Sequence, residues 1–166
     1  MDNGLTIKRR EKHHHEITAE KRDLLLRNLL AVLISGILSS LMLTLYLTND
    51  YNNLVENLFL NFVFIFLGHF LYAFPFSFLI DKLTKQIVDG KFFIGYGMYL
   101  VIAVLGVVIL TPFILFYSFY LLLVAIVFPI IFEIIKKVSG KYVGKSVILA
   151  SLLTLLLWLS MYYSLL

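Results

Sequence analysis

The sequence predicts an all-α integral membrane protein, a bundle of five transmembrane helices with the N-terminus cytoplasmic and the C-terminus outside. Three observations carry that expectation. Hydrophobic residues make up 61% of the 166 and charged residues 14%, which leaves too little polar surface to clothe a soluble body of this size. From Phe92 to Phe132 run 41 residues without a single Asp, Glu, Lys, Arg, His, Asn or Gln. A crossing helix needs only about 20 apolar residues for a hydrocarbon layer of about 30 Å, so this run crosses twice. Finally, all 14 Lys and Arg fall in three segments: seven before the first span, three between spans two and three, and four between spans four and five. Cytoplasmic loops are enriched in Lys and Arg, which puts these segments on one side and makes the 41-residue run leave and return. A re-entrant hairpin would keep the same parity, but irregular backbone in lipid needs shielding by protein or water.

Residues 1–23 are polar and of mixed charge and form a cytoplasmic tail; residues 24–166 form the transmembrane domain. A secretory signal has a short apolar core and a small-residue cleavage site. Here the apolar run is longer and ends in Tyr46-Leu-Thr-Asn-Asp50, so the first span, about 29–47, is expected to be retained as an anchor. It carries Ser35, Gly36, Ser39 and Ser40, two interleaved small-xxx-small pairs that make a smooth ridge for a neighbouring helix.

Span two, about 58–80, contains Asn61, Gly68, His69 and Pro75, and its polar exit offers Asp81 and Lys85 one helical turn apart. Spans three and four, about 92–111 and 115–134, divide the long apolar run around Leu110–Tyr117, where Pro112 lacks the amide donor a continuous helix requires. Span five, about 146–166, holds Trp158, Tyr162 and Tyr163 near its far end, where interfacial aromatics belong.

Ionisable residues inside a membrane are costly and mark sites. Two qualify, His69 near the middle of span two and Glu133 near the cytoplasmic end of span four. Asn61 precedes His69 by eight residues, about 80° around a helix, and Ser77 follows it by eight, so the three form a loose polar stripe. That stripe reads either as a path in which neutral histidine binds a substrate or relays a proton, or as donors and acceptors that join neighbouring helices. Glu133 has Lys136 and Lys137 three and four positions on, the favourable order for a helical ion pair, or serves as a binding carboxylate. Lys136, Lys137, Lys141 and Lys145 form the densest basic cluster beside a span and suit anionic lipid headgroups as well as orientation.

No metal or cofactor is expected. Three adjacent residues, His13-His14-His15, point in different directions and do not close a metal site. With no cysteine there is no thiol chemistry or disulfide. Gly-rich phosphate loops, His-Glu-x-x-His and Gly-x-Ser-x-Gly motifs are all missing from the sequence. The net charge of +4 flanks spans, which speaks for a bilayer and not for nucleic acid.

Span two ends in Pro75-Phe-Ser-Phe-Leu-Ile-Asp81-Lys82-Leu-Thr, followed by a short basic loop and a Gly-rich start to the next span. This arrangement resembles a family of small multipass membrane proteins of spore-forming Gram-positive bacteria that have no assigned activity. The resemblance covers most of the chain from the first span onward. It implies a cell-membrane location and carries over no functional residue.

The expected function is therefore that of a non-enzymatic accessory or regulatory protein acting through helix contacts, with a membrane-protein partner or a second copy of itself. The alternative is a small transporter, or the membrane subunit of one, using the polar stripe of span two and the prolines at 75, 112 and 129. An intramembrane enzyme has only two scattered ionisable groups to draw on.

Overall fold

The computed structural model describes residues 3–47, 53–87, 89–110 and 118–165, and all regular structure in them is helical. Helix α1 is Asn3–Leu47, α2 is Leu54–Gly68, and a π-helical turn, His69–Ala73, joins α2 to α3, Phe74–Thr84. Then come α4, Lys91–Leu110, α5, Ser118–Lys136, and α6, Gly140–Ser164. Four stretches are long and apolar enough to cross a membrane: Thr18–Tyr46, Leu54–Thr84, Lys91–Ile109 and Gly140–Ser164. The turn expected between spans three and four, with Thr111 and Pro112, lies outside the described residues apart from Leu110, the last residue of α4.

Helix α1 has 45 residues and runs unbroken from the polar tail into the first span, so the described part of the tail is an outward extension of that helix. Inside the bundle α1 is the common neighbour, packed against α2, α5 and α6, whereas α4 rests on α5 and α3, and α6 on α1 and α2. Half of the apolar window of α1 is buried against 11% for α4 and α6. The small-residue ridge explains the difference. Ser35, Ser39 and Ser40 are fully buried, and a Cβ on Gly36 would lie 2.7 Å from Cζ of Phe66. A hydrogen at this position lets α2 close onto α1, so the ridge is taken up inside the molecule.

Contacts along the helices give their directions. Thr44 meets Asn61 and Gly36 meets Phe66, so α1 and α2 are antiparallel. Asn61 meets Tyr120 and His69 faces Phe128, so the α2–α3 helix runs parallel to α5. Gly106 meets Leu121 while Tyr99 meets Phe128, so α4 and α5 are antiparallel. Phe59 packs on Trp158 and Asp23 approaches Gly140, which aligns α6 with α1. Direction thus alternates at every connection. Every Lys and Arg with a described side chain comes to one end of the bundle, and Trp158, Tyr162 and Tyr163 come to the other.

The π-turn sits directly before Pro75. Proline has no N–H and its ring crowds the carbonyl four residues earlier, and the wider turn accommodates it: Phe74 N–H bonds back five residues to the carbonyl of His69. The extra residue also rotates the face of α3 relative to α2 by about 100°.

A candidate ligand-binding cleft

At the basic end of the bundle a cleft of about 350 Å³ opens between α3, α4 and α5, lined by both charged and neutral polar groups. Asp81 comes from the end of α3, Lys91 from the start of α4, and Glu133 and Lys136 from the last turns of α5. Gly90 sets up the approach with φ of +71°, a left-handed backbone conformation that costs a glycine nothing. Lys91 then faces Asp81, Nζ to Oδ1 3.5 Å. This replaces the Asp81–Lys85 pair that the spacing suggested: α3 ends at Thr84, so Lys85 is already on the turn and exposed. Lys136 pairs with Glu133 at 3.2 Å and lies 4.5 Å over the Phe132 ring.

Other polar groups of the cleft are neutral, Thr84 at the end of α3 beyond Asp81, Ser77 and Tyr99 farther in. Thr84 and Ser77 are buried and turn their hydroxyls onto their own helix, Thr84 Oγ1 to the Ile80 carbonyl at 2.8 Å and Ser77 Oγ to the Phe74 carbonyl at 2.6 Å. Tyr99 is 4% exposed. Its backbone carbonyl accepts the Tyr72 hydroxyl and its ring packs edge-on to Phe128 at 5.6 Å. Its own hydroxyl is enclosed beside the Ser77 side chain and makes no hydrogen bond of good geometry. Buried tyrosine hydroxyls usually find one, so this is the unsatisfied donor of the cleft.

Of the four residues singled out in the sequence, Ser77 and Glu133 come together in this cleft. Asn61 and His69 do not line it. Asn61 donates from Nδ2 to Thr44 Oγ1 at 3.0 Å and accepts at Oδ1 from the Tyr120 hydroxyl at 2.8 Å, which ties α1, α2 and α5 together. His69 is fully buried. Its Nδ1 lies 2.9 Å from the Ile65 carbonyl; a carbonyl only accepts, so Nδ1 carries the proton and Nε2 is a bare acceptor with no partner. The stripe assumed a uniform 100° per residue, and the π-turn between His69 and Ser77 ends that phase. Of the four lysines at and after the end of α5, Lys136 lines the cleft while Lys137, Lys141 and Lys145 stay exposed. The side chains of His13-His14-His15 lie outside the described ones, and among the described residues no cluster of metal-ligating groups occurs.

Sequence reasoning missed Arg27, Tyr99 and Lys91. Arg27 Nη1 donates to the carbonyls of Ile135, Lys136 and Val138 at 2.8, 3.1 and 2.8 Å, and its Nε bonds Asp23 at 2.6 Å. It caps the C-terminal end of α5, where unpaired carbonyls and the helix dipole favour a cation. Through that cap α1 holds the end of α5 that carries Glu133 and Lys136. The Asp23–Arg27 spacing of one helical turn was the available signal. For Tyr99 it was the eight residues from Lys91, which place both on nearly one face of α4.

No family model, curated protein or solved structure matches the chain.

Proposed function

We propose that the chain is a multipass protein of the cell membrane with five spans, N-terminus cytoplasmic and C-terminus outside, acting as a non-enzymatic accessory or regulatory protein. Its working part is the cleft between α3, α4 and α5, which takes up a polar ligand at the cytoplasmic surface. One observation carries the reading: Tyr99, whose enclosed hydroxyl makes no hydrogen bond of good geometry, lines a cleft whose charged groups are available in two solvent-touching pairs. The alternation of helix directions supports counting α5 as a crossing, the fourth of five in chain order, and the gathering of basic residues at one end supports the orientation. Lys137, Lys141 and Lys145 face anionic headgroups, each interaction worth about 1 kcal/mol near the surface. The ridge on α1 gives no support to a helix partner, because α2 occupies it; a partner or second copy would meet the outer faces of α4 and α6.

The test is to purify the full chain and its Tyr99→Phe and Glu133→Gln variants from membranes in mild detergent and identify what stays bound by mass spectrometry. A small molecule or lipid retained by the wild type and lost from both variants is the expected result. Equal retention by all three, or nothing retained by any, would remove the cleft from the account.

A second reading, a small transporter, rests on the π-turn at His69 next to Pro75 in the middle of a spanning helix. Such turns interrupt helices at places that work, and this one leads from the core toward the cleft. Solute accumulation in vesicles containing the purified chain checks it, and a chain that accumulates nothing would leave only the first reading.

A further inference from the structure

The cleft has the charge pattern of a receptor for a zwitterion. Its walls carry two cations, Lys91 and Lys136, and two anions, Asp81 and Glu133. The pairs are partly withdrawn from water, with side-chain exposures of 39% and 28% for Lys91 and Asp81 and of 32% and 39% for Lys136 and Glu133. A ligand with one net charge entering this set would leave an opposite charge or a like-charge contact uncompensated, and the cost rises as water is excluded. A ligand with an ammonium at one end and a phosphate or carboxylate at the other keeps the sum at zero and exchanges each internal pair for a pair with itself. Both pairs are open to such exchange. Neither is bidentate, and at 3.5 and 3.2 Å both are longer than a tight charge-assisted bond.

Polarity along the cleft gives the second half of the argument. Charges lie at the helix ends, where headgroups lie, and Ser77 is four residues inward of Asp81, about 6 Å along the helix. Tyr99 is eight residues inward of Lys91, about 12 Å. Tyr99, whose hydroxyl makes no hydrogen bond of good geometry, thus lines the cleft on the bilayer side of the charges, where a bound molecule would have an acceptor oxygen but no charge. Helix α4 also begins at the cleft, so its positive end adds to Lys91 as a place for the anionic group. We propose that the cleft between α3, α4 and α5 binds a zwitterion carrying an ammonium and a phosphate, its charges held by Asp81, Glu133, Lys91 and Lys136 and an ester or carbonyl oxygen accepting from Tyr99. The chemistry is shared by the headgroup of an aminophospholipid and by its soluble deacylated phosphodiester, glycerophosphoethanolamine, both with one ammonium and one phosphate charge. The proposal rests on the cleft being a binding site, as argued above.

The experiment uses the full chain in detergent, titrated with three probes: dihexanoyl phosphatidylethanolamine, dihexanoyl phosphatidylglycerol and free glycerophosphoethanolamine. Binding is read from the rise in melting temperature and from adducts in native mass spectrometry. The phosphatidylethanolamine should bind at least tenfold more tightly than the phosphatidylglycerol of the same chain length. Tyr99→Phe should weaken it about tenfold, the loss of one hydrogen bond from an enclosed site, while the melting temperature without ligand changes little, because the hydroxyl makes no hydrogen bond of good geometry. Glu133→Gln should narrow the preference between the two lipids. If free glycerophosphoethanolamine binds as well as the lipid, the source is the soluble zwitterion; if only the lipid binds, it is the bilayer. Either result supports the assignment. Equal or tighter binding of phosphatidylglycerol, still sensitive to Tyr99→Phe, would overturn the zwitterion and leave the cleft as a binding site. Binding of all probes regardless of the variants, or of none, would overturn both.

Discussion

The two ends of the bundle hold together by different means. At the basic end the long-range contacts use charge: Arg27 spans from α1 to the end of α5, and Lys91 reaches from α4 to Asp81 on α3. Toward the other end the polar link is neutral, Thr44 to Asn61 to Tyr120, with every bond between uncharged groups. Around it the packing is aromatic, as in Phe59 on Trp158 at 6.4 Å and Trp158 stacked on Tyr162 at 5.7 Å. The difference follows from water. Charges next to the headgroups retain solvation, whereas a charge placed deeper would have to be satisfied entirely by protein. The basic end can therefore afford groups that bind and exchange partners, and the neutral node is suited only to holding helices in register.

Substitutions at each end break or sharpen this contrast. The largest effect is expected at Arg27, whose side chain is 13% exposed. Arg27→Ala removes a donor shared by three carbonyls at and just beyond the end of α5, of which Ile135 keeps the Val138 N–H, and leaves Asp23 without its partner, a loss of about 3 kcal/mol. Arg27→Lys should recover only part of it, since one ammonium does not reproduce the planar fork. Thermal unfolding in detergent measures both, and near-equal stability of Arg27→Ala and wild type would deny the cap.

Midway between the ends, Gly36→Leu puts side-chain atoms where Phe66 already lies, its Cβ within 2.7 Å of the ring. We expect a loss of about 2 kcal/mol from overpacking. Gly97→Ala is the control, because a Cβ there meets nothing within 4 Å; it should change stability by less than about 0.5 kcal/mol. Similar losses for the two would show that the ridge of α1 is not what sets its distance from α2.

At the neutral node Asn61→Leu should cost about 1 kcal/mol, the modest value of hydrogen bonds between membrane helices. The smallest effect belongs to Lys91→Met, about 0.5 kcal/mol, since the pair with Asp81 touches water. Added salt should shrink the Lys91 effect and leave the Asn61 effect in place. If the two respond alike, the electrostatic contrast between the ends is wrong.

Composition and charge made the helical membrane character and the four long apolar helices legible, because apolar length and the absence of ionisable groups are local properties that need no tertiary information. Ser77 and Glu133 were legible as polar groups in apolar surroundings, though not as neighbours. What brings them together is the π-turn before Pro75 and the antiparallel pairing of α4 with α5, and neither shows in a uniform helical count. Tyr99 was hidden for a related reason. Ten tyrosines are spread along the chain, and only packing decides which hydroxyl ends up enclosed without a hydrogen bond of good geometry. Arg27 looked like an ordinary flanking charge because the carbonyls it caps lie 108 to 111 residues away.

The central claim is that the helices alternate through five crossings, so that the basic end with its cleft and the C-terminal end of α6 lie on opposite sides of the membrane. The chain contains no cysteine, which makes single-cysteine labelling with a membrane-impermeant maleimide direct. Lys141→Cys and Ser164→Cys place the label at exposed positions at the two ends of α6. Labelling of Ser164→Cys in intact cells, with Lys141→Cys reached only after permeabilisation, is the predicted result. Labelling of both from the same side would contradict the five crossings and the orientation together.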